Sequence, residues 1–349
     1  MKTLASGRRT VVLRSRRWPF SQRIDVQSWL VIGGLFAVAG FLTIVSLASG
    51  DFAVSFPDVI GALLGQADGR THMVVVEWRL PRVLLALILG AALGMAGAIF
   101  QSLTRNPLGS PDIIGFDAGS YTGALIVITL LGGGYMAVAG GALVGGLVTA
   151  LLVYLLAYRR GVQGFRLIIV GIGVSAMLNS LNTWMLLRAK VEVAMMASVW
   201  GAGSLNGMTL ERLSYAGVIL LVLIPAALLL SRPLAQLELG DDAARGLGVN
   251  AEKSRVLLLV VGVGLTAVVT ATAGPIGFVA LVAPQLARRL TGDAGVALLP
   301  AAAMGGVLLL AADFIAQRAF APTQLPVGIV TVSLGGIYFA WLLIREARR

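Results

Sequence analysis

The sequence predicts an all-α integral membrane fold of about ten transmembrane helices, arranged as two inverted five-helix halves within a single domain over 1–349. Three observations lead there. Hydrophobic residues make up 58% of the chain and charged residues only 12%, with a mean hydropathy of +0.90. A soluble domain carries about 25% charged residues, which it needs to cover a surface facing water. Apolar runs of about 20 residues, the length that crosses a bilayer core, recur along the whole chain. Basic residues gather at the ends of these runs. Arg8, Arg9, Arg14, Arg16 and Arg17 precede the first, and Arg159 and Arg160 follow the fourth. Arg288 and Arg289 close the eighth, while Arg345, Arg348 and Arg349 close the chain. A net charge of +11 would also suit nucleic acid. The placement of that charge is instead the flank pattern of the positive-inside rule, so no nucleic-acid partner is expected.

Residues 1–28 read as a basic cytoplasmic arm. The run from Trp29-Leu30 to Ala48 is longer than a signal-peptide core and lacks a convincing small-residue cleavage site, so it reads as a retained first span. The spans fall at 29–49, 82–104, 112–132, 135–158, 166–188, 213–231, 255–273, 276–291, 297–318 and 327–345. An even number returns the C-terminus to the side of the N-terminus. Both termini are then cytoplasmic in a multi-pass protein of a bacterial cytoplasmic membrane. The positively flanked loops near 105, 159–166, 232–255 and 288–292 fall on that same side. Two outer segments are long enough to hold structure. Residues 50–80 contain Phe56-Pro57-Asp58, with Pro near the first turn of a short helix. Residues 189–212 contain Trp200, a Gly-rich turn and a second short helix.

A weak internal repeat accompanies this order. Arg82-Val83-Leu84-Leu85 opens the second span, and Arg255-Val256-Leu257-Leu258 opens the seventh. Five spans separate them, an odd number, so the copies enter from opposite faces. An inverted repeat places a transport route at the interface of the halves. A four-residue match also arises by chance in a chain so rich in Leu and Val.

The absences are informative. No G-x-x-x-x-G-K-[ST] occurs, nor any Gly-Lys pair, so the chain lacks the phosphate cradle of an NTPase. Gly171-Ile172-Gly173 and Gly246-Leu247-Gly248 follow no strand of a βαβ unit and are not dinucleotide sites. There are no cysteines and one histidine, His72. No catalytic residue, metal site or bound cofactor is expected. Ion-coupled carriers place acids within the membrane; here Asp112 and Asp117 read as lying near the inner face and Glu192 outside. Asp313 alone falls within a span, where pairing with Arg318 about one turn on gives it a structural role.

Two stretches stand out. In the second span, Gly90-Ala91-Ala92-Leu93-Gly94 and Gly97 form a small-residue face suited to close helix packing. It runs through Gln101 into Arg105-Asn106-Pro107-Leu108-Gly109-Ser110-Pro111-Asp112, where two prolines and a glycine break the helix at the inner surface. Irregular backbone at that depth is tolerated beside protein or a water-filled cavity, as at the inner mouth of a route. The second stretch, 238–252, is a short amphipathic hairpin containing Glu238, Gly240, Asp241, Asp242, Arg245 and Gly248, with a glycine at each helix end. Pattern alone divides evenly between a docking element for a separate ATPase and an ordinary solvated loop.

These motifs resemble the permeases of ABC importers for ferric siderophores and cobalamin, a FecCD-like family. The resemblance rests on Arg79-Leu80-Pro81-Arg82, Asn106-Pro107-Leu108-Gly109 with Pro111 and Gly115, and Leu239-Gly240 with Arg245 and Leu247-Gly248. Ala273-Gly274-Pro275-Ile276-Gly277-Phe278, Ala311 with Asp313, and Leu325-Pro326-Val327-Gly328 also match. Phe100-Gln101-Ser102 and Ser204-Leu205-Asn206-Gly207 are similar to the ferric-enterobactin branch. The resemblance implies a type II importer architecture with ten spans per subunit and a second permease subunit, a paralogue or an identical copy. It also implies two cytoplasmic ATPase subunits holding ATP and Mg, an extracytoplasmic siderophore-binding protein, and a ferric siderophore as cargo. Cobalamin, haem or another chelate is the alternative cargo, and an ion-coupled secondary transporter the alternative class.

By position, the resemblance assigns Arg79, Arg82 and Arg318 to binding-protein docking. Asn106, Leu108, Gly164 and Phe165 match the cytoplasmic gate, and the 238–252 hairpin matches the ATPase coupling element. Departures from the family are Phe165, where small hydroxyl residues are common, Gln285, where relatives commonly carry His, and Gln317, at or beside which an outer arginine is expected.

Overall fold

The computed structural model describes residues 2–3, 9–14, 21–50, 52–112, 115–158, 164–292, 295 and 297–347. Arg8, Arg16, Arg17, Arg159, Arg160, Arg348 and Arg349, read above as basic flanks, lie outside the described residues. Three strands open the chain: β1 (Lys2–Thr3), β2 (Arg9–Arg14) and β3 (Ser21–Asp25), antiparallel in the order β1-β2-β3. This sheet is the one departure from the all-α expectation. Its central strand carries Thr10-Val11-Val12, residues that suit extended backbone.

Helices follow. In α1 (Val26–Ala48), the Asp25 side chain accepts from the Gln27 N–H at 3.0 Å and caps the start. In α2 (Phe56–Leu63), Ser55 caps and Pro57 sits in the first turn, as its sequence predicts. Next come α3 (Gly69–His72), a π-helical segment Met73–Arg79 and α4 (Leu80–Thr104), which together make one 36-residue rod, Gly69–Thr104. The second span therefore starts at Gly69, not at 82. Pro81 reads as a boundary because it lacks an N–H. Here it follows a widened turn in which the Leu80 N–H already reaches back to the Val75 carbonyl, so the helix passes through.

The chain continues with α5 (Phe116–Ile126), extended by a π-helical segment Val127–Leu131, then α6 (Tyr135–Ala157) and α7 (Gly164–Arg188). The segment 189–212 forms the short helix α8 (Val191–Gly201), leading into α9 (Leu210–Leu229), α10 (Ser231–Glu238) and α11 (Asp241–Gly246). The last helices are α12 (Ala251–Ala273), α13 (Val279–Thr291), α14 (Leu298–Arg318) and α15 (Val327–Ala347).

Seven helices are long and apolar enough to cross a membrane, counted among the described residues: α1, the 69–104 rod, α6, α7, α9, α12 and α14. The spans read at 112–132 and 276–291 are shorter than expected, at Phe116–Leu131 and 13-residue α13. Irregular turns at 105–112 and 274–278 precede them. The apolar part of α15 among the described residues is Val327–Tyr338.

The rod is the centre of the molecule. Its most apolar window is 78% buried, against 17% for α7 and for α9 at the periphery. Three glycines on α4 let other backbones touch it. A Cβ on Gly90 would meet the Gly305 carbonyl of α14, one on Gly94 the Ala301 carbonyl, and one on Gly97 the Ala280 carbonyl of α13. This is the close approach that small residues permit between membrane helices.

The two repeated openings do begin corresponding units. α4 leads through 105–115 into short α5, and α12 leads through 274–278 into short α13. The two breaks meet: the Phe278 N–H donates to Asp112 Oδ2 at 3.4 Å, and Gln285 Nε2 donates to the Pro107 carbonyl at 2.9 Å. Because Gly97 of α4 faces Ala280, the start of α13 lies roughly 10 Å inside the end of α4, at 1.5 Å per helical residue. Asp112 is therefore drawn inward from the inner surface where sequence alone puts it.

Candidate functional site

At the end of the bundle formed by the α1–α2 loop and the α14–α15 loop lies a cleft of about 470 Å³. Arg79 and Arg82, three residues apart, and Arg318, far from both in sequence, all line it, with Glu77, Trp78 and Gln324. Two of the three guanidiniums are engaged by this chain. Arg79 donates to the Leu47 carbonyl at 2.7 Å and to the Phe52 carbonyl at 2.6 Å, its guanidinium lying over Gly50. Arg82 forks onto Asp313, Nε to Oδ2 and Nη2 to Oδ1, each at 2.9 Å, while its Nη1 donates to Gln324 Oε1 at 2.9 Å. Gln317 Nε2 adds a bond to Asp313 Oδ2 at 2.8 Å, and Asp313 is fully buried.

Asp313 thus has the structural role expected of it but not the expected partner. Arg82, on the neighbouring helix α4 but 231 residues away in sequence, takes the place assigned to Arg318. Planar fork geometry against both carboxylate oxygens favours the arginine that can lie in the carboxylate plane. Arg318 has no ion pair among the described residues.

At the opposite end, α4 stops at Arg105 in left-handed backbone, φ 49°. Asn106 Oδ1 accepts the Leu108 N–H at 2.9 Å, closing an Asx turn, and Gly109 N–H returns to the Asn106 carbonyl at 2.9 Å. Leu108 is left exposed. Gln285 holds this turn through the Pro107 carbonyl. Gly164 opens α7, and Phe165 beside it is 76% exposed. Two residues on, Leu167 is buried in one apolar cluster with Phe100 of α4. The two expected gate elements therefore lie at the same end of the bundle, joined through Leu167 and Phe100 rather than through Phe165.

The hairpin sits beside that turn. Gly240 at φ 112° and Gly248 at φ 84° bracket α11, in backbone that only glycine adopts freely. The structure divides its charges into two sets. Glu238 Oε1 accepts from Ser102 Oγ at 2.7 Å, and Asp241 Oδ1 accepts from Arg105 Nη2 at 3.0 Å and Arg255 Nη2 at 2.8 Å. These acids face inward onto α4 and α12. The Arg255 hydrogen bond, aided by the Arg255 and Arg105 charges, holds the Asp241 carboxyl below its ordinary range against partial burial. Asp242 and Arg245 lie outward as an exposed pair at 3.6 Å, flanked by exposed Leu239 and Leu247.

One feature escapes the sequence reading. On α7, Gly173, Ala176, Ser180, Thr183 and Leu187 are exposed at alternating spacings of four and three, which is one helix face. The hydroxyls of Ser180 and Thr183 donate to the Ala176 and Asn179 carbonyls, both at 2.9 Å. Hydroxyls that satisfy themselves on their own helix cost little in an apolar run, so they carry a weak signal. The spacing was the available clue.

The family model of the FecCD transport family matches residues 35–345. The chain is 53% identical over 329 residues to the ferric enterobactin transport system permease protein of Escherichia coli (strain K12), covering 94% of this chain and 98% of that one. It is 34% identical over 327 residues to the hemin transport system permease protein of Yersinia pestis, covering 92% and 97%. Among solved structures, an inward-facing putative metal-chelate type ABC transporter superposes with a TM-score of 0.80 at 28% identity, over 90% of this chain and 99% of that one. With the outer cleft, the paired breaks and the hairpin in the order the motifs lead one to expect, this chain belongs to the FecCD transport family.

Proposed function

We propose that this chain is the membrane-spanning permease subunit of an ABC importer that carries a ferric siderophore of the enterobactin class across the bacterial cytoplasmic membrane. The observation that carries the reading is the identity to the E. coli ferric enterobactin permease along nearly the whole of both chains. The energy comes from two partner ATPase subunits holding ATP and Mg, which dock on the outward face of the 238–252 hairpin. A binding protein delivers the chelate to the arginine-lined cleft, and a second permease subunit completes the route. Both termini are cytoplasmic.

The geometry supports this division of labour. A large chelate needs a wide path without a tight polar site, and the exposed face of small residues on α7 suits one wall of such a path, since it gives acyl chains little to pack against. The 105–115 turn, with Asn106 and Leu108, closes its inner end together with the start of α7.

The test is transport in proteoliposomes. The complex of permease, second subunit and ATPase, with its binding protein, is expected to take up radioiron-labelled ferric enterobactin only when ATP is inside with the ATPase. Uptake driven by an ion gradient without the ATPase would sink the reading. Uptake of haem in preference to ferric enterobactin would reassign the cargo, in line with the similarity to the hemin permease.

A further inference from the structure

We infer that Asp241 is a positioning residue that fastens the ATPase-docking hairpin to the inner turn, so that α11, the end of α4 and the start of α12 move as one body. The inference rests on the proposed docking of an ATPase at this hairpin and says how that docking reaches the route.

The bonds form a bracket. Arg105 is the left-handed residue that ends α4 and starts the 105–115 turn. Its Nη2 reaches both the Leu237 carbonyl of α10, at 3.1 Å, and Asp241 Oδ1 at the first residue of α11. One turn earlier on α4, Ser102 holds Glu238 at 2.7 Å. From the other side Arg255, only 14% exposed, holds the same Asp241 oxygen at 2.8 Å from the first turns of α12. One carboxylate oxygen therefore joins three elements: the turn that carries Asn106 and Leu108, the hairpin, and the helix that opens the second half of the repeat.

The neighbouring acid shows the contrast. Asp242 is fully exposed and faces only Arg245, so it is free to meet a partner, whereas Asp241 is turned away from that surface. Each arginine reaches Asp241 through a single Nη2; the Arg255 contact is the more sheltered, and Arg105 is held in addition by the Leu237 carbonyl. A displacement imposed on α11 is passed through Asp241 to Arg255 and to Arg105, and with Arg105 to the backbone of the inner turn.

The chain has no cysteine, so a paired-cysteine test is clean on this subunit. In the reconstituted complex, the double variant Arg105→Cys, Asp241→Cys should keep its ATPase subunits and their hydrolysis. Its uptake of ferric enterobactin per ATP should fall about ten-fold, within the range of ordinary allosteric coupling. A short bis-methanethiosulfonate linker joining the two thiols should restore uptake, and a reductant should remove it again. Wild-type uptake per ATP without the linker overturns the inference. So does a verified cross-link that leaves uptake low or abolishes it, because the two elements would then have to slide past each other.

If the double variant does not assemble, Arg105→Gln and Arg105→Lys read the same point. Uncoupling in the first with partial rescue in the second supports the bracket, and equal behaviour of the two overturns it. The docking reading fails differently: substituting Asp242→Lys and Arg245→Glu would then leave the ATPase bound with wild-type affinity, irrespective of what Asp241 does.

Discussion

At Arg82 and Asp313, a motif arginine and a lone membrane acid resolve into one structure. Taken singly, Arg82 reads as a docking residue and Asp313 as a relay or a local pair. Together they form a forked ion pair whose carboxylate is wholly buried and whose guanidinium side chain is 12% exposed. Removing one partner from such a pair leaves an uncompensated buried charge, whereas replacing both by apolar groups can be nearly neutral. Asp313→Ala should therefore destabilise the detergent-solubilised protein by about 3–5 kcal/mol. The double change Arg82→Met with Asp313→Leu should recover most of that loss, as read by thermal melting. A double variant as unstable as the single one would show that Arg82 holds something other than Asp313. On the proposed reading of the cleft as a docking surface, Arg318, without an ion pair among the described residues, is the arginine to test first with an acidic partner group.

At the scale of the element, the glycines of α4 decide how the core is built. Gly97 lies on the Ala280 carbonyl, so an added methyl meets backbone, which cannot swing aside as a side chain can. Gly97→Ala should push α13 from α4 and cost about 1–3 kcal/mol, the usual scale of overpacking. Gly34→Ala on α1, where a Cβ meets nothing within 4 Å, is the control and should melt with the wild type. Equal melting of the two variants would mean that α4 and α13 are not in backbone contact. This face was legible in the sequence, because small residues at helical spacing in an apolar run have few other uses. The length of the helix was not: Pro81 reads as a start, and only the π-helical turn before it, a feature of backbone geometry, lets the rod reach back to Gly69. The hairpin was legible from Gly240 and Gly248, yet the inward direction of Asp241 depends on Arg105 and Arg255, whose approach no local pattern encodes. The Arg82–Asp313 pair stayed hidden for the same reason, being separated by 231 residues.

Across the whole molecule, burial falls from the rod outward, and α7 and α9 share the lowest value, 17% of the apolar window. Their exposed surfaces differ in part. On α9 the exposed residues near the middle, Leu221 and Val222, are large and apolar, as lipid requires. On α7 the large apolar Ile172, Met177 and Trp184 are exposed too, but one face presents the small residues Gly173, Ala176, Ser180 and Thr183, the last two with hydroxyls. A face of that composition packs poorly against acyl chains and suits a second subunit or water. Its position beside the inner turn, through the cluster of Leu167 with Phe100, favours water. Single cysteines separate these environments, since the chain supplies no thiol of its own. A maleimide reacts with the ionised thiol, which forms in water and not in hydrocarbon. In the assembled complex, Ser180→Cys and Thr183→Cys should be labelled by a membrane-impermeant maleimide, and Val222→Cys should not. Labelling should respond to trapping the ATPase in its ATP-bound state, because alternating access changes which end of the path is open. If Ser180→Cys and Val222→Cys are equally inert in every state, α7 faces lipid or a dry interface, and the wall of the route must be sought on another helix.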